Sequence, residues 1–161
     1  MTSPRLATYS IGGATRYGAV TDAGIVDLTA RFGKDYPTLR EAIEADALTK
    51  LAEDAARRAP DHALNTIAWQ PPIPAPEKII CIGVNYPDRN AEYKDGQDAP
   101  KYPSMFMRTP RSFVGHNTPL VRPRASQQLD YEGELVIVIG KAGRHIPVSY
   151  THLTLPTNRE V

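Results

Sequence analysis

The sequence predicts an α+β fold that is mostly β. Two observations support this: short apolar or alternating segments bounded by Gly, Pro and Asp recur along the chain, and one longer segment has helical periodicity. A third observation divides the chain. Residues 70–77 read QPPIPAPE, and closely spaced prolines exclude regular helix and central strand. We therefore expect two units joined by a Pro-rich linker at residues 71–77.

The first unit, residues 1–70, is predicted to be a small α/β domain. It opens with three short strands, at Arg5–Ile11, Arg16–Thr21 and Ile25–Leu28. Glycine-containing turns separate these strands, which is typical of an antiparallel meander. One amphipathic helix over about residues 39–58 follows, because Thr38 to Glu41 has the S/T-x-x-E form of a capping box and apolar residues recur behind it at helical spacing.

The second unit, residues 78–147, is predicted to be rich in strands. The segment Lys78–Val84 is apolar after its first residue and predicts a buried strand. Shorter strands are predicted at Met105–Arg108, Ser112–Val114 and Leu120–Arg122. Cys81 is the single cysteine, which excludes an intramolecular disulfide, and we interpret it as a small apolar residue of the strand rather than a nucleophile.

The composition argues against several classes of partner. Nineteen basic and eighteen acidic residues give a formal net charge of +1, which offers no electrostatic attraction for nucleic acid or an anionic membrane. The longest apolar run, Leu135–Ile139, is too short to span a bilayer, and the N-terminus MTSPRLATYS lacks the apolar core of a signal peptide. We therefore expect a cytoplasmic protein that binds neither nucleic acid nor membrane.

The segment QQLDYEGELVIVIG, residues 127–140, is the strongest candidate for chemistry. Asp130, Glu132 and Glu134 alternate, so that in a strand their side chains share one face. Neighbouring carboxylates would lie roughly 6 to 7 Å apart and repel by roughly 2 to 3 kcal/mol at an effective dielectric constant of about 20. A hard divalent cation would offset this repulsion; the alternative is an inert acidic face screened by water and salt. The apolar run Val136–Ile139 predicts that the strand continues into a buried environment.

Three segments of the second unit carry the pattern of a known family: KIICIGVNY at residues 78–86, PSMFMR at 103–108, and LDYEGEL with VIGK at 129–141. Together they resemble the fumarylacetoacetate hydrolase family, in particular its 2-hydroxyhepta-2,4-diene-1,7-dioate isomerase-like branch. The resemblance implies a small α/β domain followed by a mixed β-sandwich or β-roll catalytic domain, of which this chain holds the first part. It also implies a homodimer that acts on small 2-oxo acids with Mg²⁺ or Mn²⁺, with Ca²⁺ as an alternative.

The resemblance also assigns residues to roles. Glu132 and Glu134 match the metal-binding glutamates of the family, the pair to which the alternation of acids also points. Asp130 lies beside them as outer support. Asn85 and Tyr86 match positions that contact substrate.

Residues 85–92, reading NYPDRNAE, depart from the family form N-Y-x-D-H-x-x-E at one position. Glu92 matches the acid that works with the family histidine to activate water, but Arg89 stands in place of that histidine. Arginine stays protonated and cannot act as a general base. Arg89 is therefore either one half of a helix-surface ion pair with Glu92 or an anchor for a second substrate carboxylate. Arg108 is a further candidate anchor, whereas His116 is interpreted as a turn residue.

The function implied is metal-dependent C–C bond cleavage, decarboxylation or isomerisation of 2-oxo acids or dicarboxylates in catabolism. The missing histidine favours the reactions that need no activated water. A non-catalytic β-rich fragment or binding module with an inert acidic face is the alternative.

Residues 148–161 begin VSYTHLTLPT and depart from the family pattern. Codons that would encode this string resemble a transposon end used in preparing sequencing libraries, so we interpret the segment as an adapter-derived tail on a truncated gene. A third acidic metal ligand would then lie beyond this sequence, and hard-ion sites need about six oxygen ligands. We therefore expect the 161-residue chain to be inactive even if its full-length parent is an enzyme.

Overall fold

The computed structural model describes residues 5–83, 102, 104–129 and 134–147. These residues form two compact units. One unit holds the described residues up to Ile73 and those from Val114 onward, and the other runs from Pro74 to Phe113. Each unit contains an antiparallel sheet and the helices are short, which confirms the predicted α+β, mostly β class. The domain limits proposed from the sequence stay predictions.

The first unit is built on a four-stranded antiparallel sheet with the strand order β3-β2-β1-β4. Its strands are β1 (Arg5–Ile11), β2 (Ala14–Thr21), β3 (Gly24–Asp27) and β4 (Ala68–Trp69). Gly12 and Gly13 join β1 to β2 and have φ values of 57° and 79°. Two positive φ values match the right-handed twist of a tight hairpin and favour glycine. The three predicted strands are confirmed, whereas the two-residue β4 was not predicted.

The predicted single helix over residues 39–58 is wrong, because the segment forms two helices. These are α2 (Leu39–Glu44) and α3 (Leu48–Ala55), and the short α1 (Thr29–Phe32) precedes them. The predicted capping box at the start of α2 is confirmed. The Thr38 hydroxyl accepts a hydrogen bond from the Arg40 amide at 3.2 Å, and the Glu41 carboxylate accepts one from the Thr38 amide at 2.9 Å.

A left-handed residue at Asp46 ends α2. Asp46 has a φ of 54°, and its amide donates to the Ile43 carbonyl at 3.0 Å. The next amide, of Ala47, donates to the Ala42 carbonyl at 2.9 Å. These two bonds form a Schellman motif, and the buried Ala42 and Ala47 provide its usual apolar contact. Aspartate tolerates this conformation better than most residues, but the periodicity of the flanking apolar residues conceals the break.

The helices cover one face of the sheet. The core on this face combines strand residues with residues of α2 and α3: Tyr17, Ala19, Val26, Leu28, Leu39, Ala42, Leu51 and Ala55. Full burial of a large apolar side chain stabilises a fold by about 1.5 to 3 kcal/mol, so this face supplies most of the driving force for folding of the unit.

The opposite face of the sheet is also buried. Tyr9 and Ile25 on this face have no exposed surface, and Asp27 is 3% exposed. The chain after α3 covers part of it: the Ile25 amide donates to the His62 carbonyl at 2.9 Å, and the His62 ring contacts Tyr9 edge-on at 6.1 Å between centroids. The second face is thus covered around Tyr9 and Ile25, and its strand residues include charged side chains.

The second unit contains the hairpin of β5 (Ile79–Gly83) and β6 (Ser104–Arg108). The strands pair antiparallel, from Ile79 opposite Arg108 to Gly83 opposite Ser104. Both strands were predicted and are confirmed over the described residues, but the predicted burial of the first strand is wrong, because Ile80 and Ile82 are exposed. Cys81 lies in β5 with intermediate exposure. Among the described residues, no helix is long and apolar enough to cross a membrane.

The strands predicted at Ser112–Val114 and Leu120–Arg122 are wrong. Ser112 closes a 3₁₀ helix that begins at Pro110, and residues 113–115 and 119–123 have no regular structure. Prolines at 119 and 123 bracket the second segment, and a proline offers no amide hydrogen for strand pairing. His116 lies in a turn in which the Thr118 amide donates to the Gly115 carbonyl at 3.1 Å, which confirms the prediction that it is a turn residue.

We predict that Asp46→Gly stabilises the protein and Asp46→Ala destabilises it. Glycine adopts the positive φ of this position without steric cost, so the free energy of unfolding should rise by about 0.5 kcal/mol, whereas alanine should lower it by about 1 kcal/mol. Chemical denaturation measures both values. Glu53→Gly in the exposed part of α3 is the control and should lower stability by about 1 kcal/mol. A loss of stability in Asp46→Gly would contradict the role of the Schellman motif.

Two buried tyrosines should respond in opposite ways to removal of the hydroxyl. The Tyr17 hydroxyl donates to the Tyr36 carbonyl at 2.9 Å, so Tyr17→Phe should lower the free energy of unfolding by about 1 kcal/mol. The buried Tyr9 hydroxyl has no hydrogen-bond partner among the described residues, so Tyr9→Phe should leave stability unchanged or raise it by about 1 kcal/mol. Chemical denaturation of the two variants provides the test. Equal losses would show that Tyr9 has a partner.

Stability should fall above pH 10 because of the same two tyrosines. Burial is the largest cause that raises the pKa of Tyr17 from 10.0 to about 12, and burial together with the Asp27 carboxylate raises the pKa of Tyr9 further. Below the pKa of tyrosine in the unfolded chain, both the folded and the unfolded protein keep the hydroxyl proton, and these groups do not lower the free energy of unfolding. As the pH rises from 10 towards the pKa of the folded state, only the unfolded chain releases the tyrosine proton. The free energy of unfolding then falls by about 1.4 kcal/mol per pH unit for each tyrosine.

Chemical denaturation at pH 8 and pH 11 measures this loss. Tyr9→Phe and Tyr17→Phe should each lose about 1 kcal/mol less than the unaltered protein over that interval. An unchanged loss in both variants would assign the alkaline destabilisation to other groups.

Candidate active site

Only some of the predicted site residues belong to the described part of the chain. Arg108 and Glu134 do. The others lie outside the described residues: Asn85, Tyr86, Arg89, Glu92 and Glu132. Their roles therefore stay predictions.

Arg108 is the last residue of β6 and is exposed. Its guanidinium carbon lies 5.8 Å from the centroid of the Phe106 ring, which is on the same side of the strand. A cation over an aromatic face is held by the quadrupole of the ring, and this contact stabilises by about 0.5 to 1 kcal/mol at an exposed position. Because Arg108 is exposed and a guanidinium has five donors, it could bind a carboxylate without losing this contact.

The hairpin register separates Arg108 from the end of β5. Arg108 pairs with Ile79, whereas Gly83, the last residue of β5 and two positions before the NYPDRNAE segment, pairs with Ser104. Four residues of strand separate the two positions, which is about 14 Å. Arg108 and the carboxyl end of β5 are therefore opposite ends of one hairpin.

Glu134 is exposed, and the strand predicted to follow it is not formed. Residues 134–140 have no regular secondary structure, and the apolar residues after Glu134 are exposed: Leu135, Val136, Ile137, Val138 and Ile139. The predicted burial of Val136–Ile139 is therefore wrong in this structure. A strand is maintained by hydrogen bonds to a neighbour, and no other described strand pairs with this segment. The alternation of acids alone could not reveal whether such a neighbour would be present.

The chemistry of Glu134 fits a hard cation, but the described residues do not complete a site. An exposed carboxylate offers oxygen atoms, the ligands that Mg²⁺ and Mn²⁺ prefer. In the described part of the chain, no group of three or more His, Cys, Asp or Glu side chains is placed to hold a metal ion. The paired ligand Glu132 lies outside that part.

Sequence reasoning missed a cluster of charged side chains in the first unit, on the sheet face that carries Tyr9 and Ile25. Asp27 accepts from Arg16 at 2.7 Å and from the Ala30 amide at 2.9 Å, while its own amide donates to Asp61 at 2.7 Å. Arg31 forms a two-pronged pair with Asp61 at 2.9 and 3.1 Å. The hydrogen bond from Arg31 is the largest cause that lowers the pKa of Asp61.

This cluster is structural, because its carboxylates are paired with groups of the same unit. The signal in the sequence is Asp27, an acid directly after apolar Ile25 and Val26, since a carboxylate within an apolar strand requires a buried partner.

The family assignment rests on the sequence after the Pro-rich segment. Residues 78–152 match the family described as Fumarylacetoacetate (FAA) hydrolase C-terminal. The chain belongs to the fumarylacetoacetate hydrolase family. The matched range contains all of the predicted catalytic, substrate-binding and metal-binding residues. It also contains residues 148–152, so the proposed foreign origin of residues 148–161 stays a prediction.

Two curated relatives of this family member are oxaloacetate tautomerases. Oxaloacetate tautomerase YisK of Bacillus subtilis is 42% identical over 88 residues, which are 53% of this chain and 29% of the relative. Oxaloacetate tautomerase fahd2, mitochondrial, of Xenopus laevis is 38% identical over 125 residues, which are 76% of this chain and 38% of the relative. The chain thus spans less than two fifths of the length of either relative.

A solved structure supports the fold assignment. The fumarylacetoacetate hydrolase of the psychrophile Exiguobacterium antarcticum is 31% identical and superposes with a TM-score of 0.69, covering 94% of this chain and 52% of that chain. The family fold therefore extends over most of this chain, the N-terminal sheet included.

Proposed function

We propose that this chain is part of an enzyme that interconverts the keto and enol forms of oxaloacetate or a closely similar 2-oxo dicarboxylate. The observation that carries the proposal is the similarity to the oxaloacetate tautomerases of a bacterium and a vertebrate. The substitution of Arg89 for the family histidine supports it independently. Tautomerisation consumes no water, so a pair of residues that activates water is not required.

The chemistry of tautomerisation sets what the site must supply. A proton leaves carbon 3 of the substrate and a proton is gained by the oxygen on carbon 2, so the formula is unchanged. The site needs a group that carries the proton and a positive charge that stabilises the enolate oxygen. It must also bind two carboxylates, one at each end of the substrate.

The predicted metal ligands are Glu132 and Glu134. A bound Mg²⁺ or Mn²⁺, with Ca²⁺ as an alternative, would polarise the 2-oxo group and stabilise negative charge on its oxygen. The exposed carboxylate of Glu134 supports this assignment, because it can supply oxygen without breaking any contact described for it.

The remaining predicted residues would bind and orient the substrate. Arg89 would hold the distal carboxylate through a bidentate pair, and Arg108 is the second candidate for that contact. Glu92 would carry the proton between carbon 3 and the oxygen, because a carboxylate can both accept and donate it. Asn85 and Tyr86 would hydrogen-bond to the substrate. We propose further, on the family resemblance, that the enzyme is a cytoplasmic homodimer.

Divalent metal should stabilise the full-length enzyme through Glu132 and Glu134. At a tenfold excess of Mg²⁺ over its dissociation constant, binding adds about 1.4 kcal/mol and raises the melting temperature by a few degrees. The double variant Glu132→Ala/Glu134→Ala should lose this shift, and Glu53→Ala, an exposed helix glutamate, should keep it. Differential scanning fluorimetry with Mg²⁺, Mn²⁺ or EDTA measures the shift. An equal shift in all variants would place the metal elsewhere, and no shift would favour an inert acidic face.

The activity itself is tested on the full-length enzyme by adding the enol form of oxaloacetate and following its ultraviolet absorbance. The proposal expects a metal-dependent increase in the rate of enol decay without formation of pyruvate. Pyruvate formation would indicate decarboxylation instead, and hydrolysis of an acylpyruvate substrate would indicate C–C bond cleavage. Retention of tautomerase activity in the Glu132→Ala/Glu134→Ala variant would contradict the assigned metal ligands.

A further inference from the structure

A cavity of about 330 Å³ opens in the first unit beside β1, and we call it the β1 cavity. Its floor lies on the second face of the sheet. Arg5 pairs with Val20, and Tyr9 with Trp69, so these residues share the face that also carries Ala7. Ala7, the small residue between Arg5 and Tyr9 on this face, is part of the cavity lining.

The walls of the β1 cavity come from two separate chain segments. The segment after β4 runs beside β1, because the Gln70 amide donates to the Thr8 carbonyl at 3.0 Å and the Thr8 hydroxyl donates to the Pro72 carbonyl at 2.6 Å. The opposite wall is formed by Val114, Gly115 and His116. A Cβ atom at Gly115 would lie 1.9 Å from the Trp69 carbonyl oxygen, so only glycine allows this close approach.

The lining combines apolar walls with one permanent charge. Val20, Pro72 and Val114 are apolar lining residues, and Trp69, which pairs with Tyr9 on this face, is the aromatic one. Arg5 is the charged residue among the described lining residues. Small-molecule sites have this composition, with apolar walls and few polar groups, and volumes from about 300 Å³ upward.

Arg5 can bind a carboxylate within the cavity. Its Nη2 donates to Asp22 at 3.0 Å, but the Asp22 side chain is fully exposed, and pairs of this kind stabilise by about 0 to 1 kcal/mol. The guanidinium has five donors in a planar fork, so one bond to Asp22 leaves donors for a second acid.

We propose that the β1 cavity binds a small aromatic carboxylate, with its ring against Trp69 and the apolar walls and its carboxylate at Arg5. None of the residues that line the cavity belongs to the proposed catalytic or metal-binding set, so this is a second ligand site and does not depend on the proposed tautomerase reaction.

Trp69 is the single tryptophan of the protein, so its fluorescence reports directly on the cavity. Titration of the 161-residue protein with phenylacetate should change this fluorescence with saturation. Phenylacetamide has nearly the same size and shape but no charge, and it should bind at least about tenfold more weakly if Arg5 supplies a charge-assisted contact. This comparison needs no variant. Absence of a saturable change, or equal affinity for the two compounds, would overturn the proposal.

Two variants on the same ion pair then test the role of Arg5. Arg5→Gln should weaken phenylacetate binding by about tenfold and leave phenylacetamide binding unchanged. Asp22→Asn is the matched control, because it breaks the same exposed ion pair but keeps the arginine, and it should bind phenylacetate equally well or more tightly. Circular dichroism spectra of both variants should match that of the unaltered protein. Unchanged binding in Arg5→Gln, or weaker binding in Asp22→Asn, would contradict the assignment of the carboxylate to Arg5.

Discussion

The buried carboxylate of Asp27 is the interaction on which the arrangement of the N-terminal unit depends. It accepts hydrogen bonds from Arg16 on β2 and from the amide of Ala30 in α1, and His62 lies 3.6 Å from it. The backbone amide of the same residue donates to Asp61. One residue therefore connects the sheet, the first helix and the segment after α3. Removing one partner of such a buried pair leaves an uncompensated charge, which typically costs about 3 to 5 kcal/mol.

The charged cluster explains why the two faces of the N-terminal sheet differ. The face covered by α2 and α3 is apolar and is filled by close packing. The other face is covered by a segment without helix or long strand, and specific polar contacts hold that segment in place. These contacts hold the segment only near Tyr9 and Asp27, so the segment does not extend over the rest of the face. The β1 cavity lies on this uncovered part. The buried Tyr9 hydroxyl, which has no hydrogen-bond partner in the described part of the chain, lies next to this boundary.

The family match and the predicted site residues occupy the same part of the chain, residues 78–152. The hairpin of β5 and β6 in this range is short, and its strands carry exposed apolar side chains, including Ile80, Met105 and Met107. The family match covers this hairpin and every predicted site residue. Arg89 favours tautomerisation of a dicarboxylate over hydrolysis. A permanently charged group can bind a carboxylate but cannot remove a proton from water.

The sequence by itself determined what depends on neighbouring residues. The first three strands, the hairpin strands β5 and β6 and the capping box at Thr38 were all predictable, because period-two apolar patterns and capping residues act within a few positions. The family was predictable as well, because its motifs are contiguous stretches of chain. The candidate metal ligands followed from the same local pattern.

Only the tertiary structure decided the features that depend on distant contacts. The break at Asp46 places Ala47 and Leu51 in the core, and helical periodicity does not reveal a change of direction. Residues 135–139 have a strand-like sequence but remain exposed, since a strand needs a partner as well as propensity. The pairing of Asp27 with Arg16 and Asp61, and the meeting of Trp69 with Gly115, join residues far apart in the chain. Such contacts are set by the packing of whole elements, which no local pattern encodes.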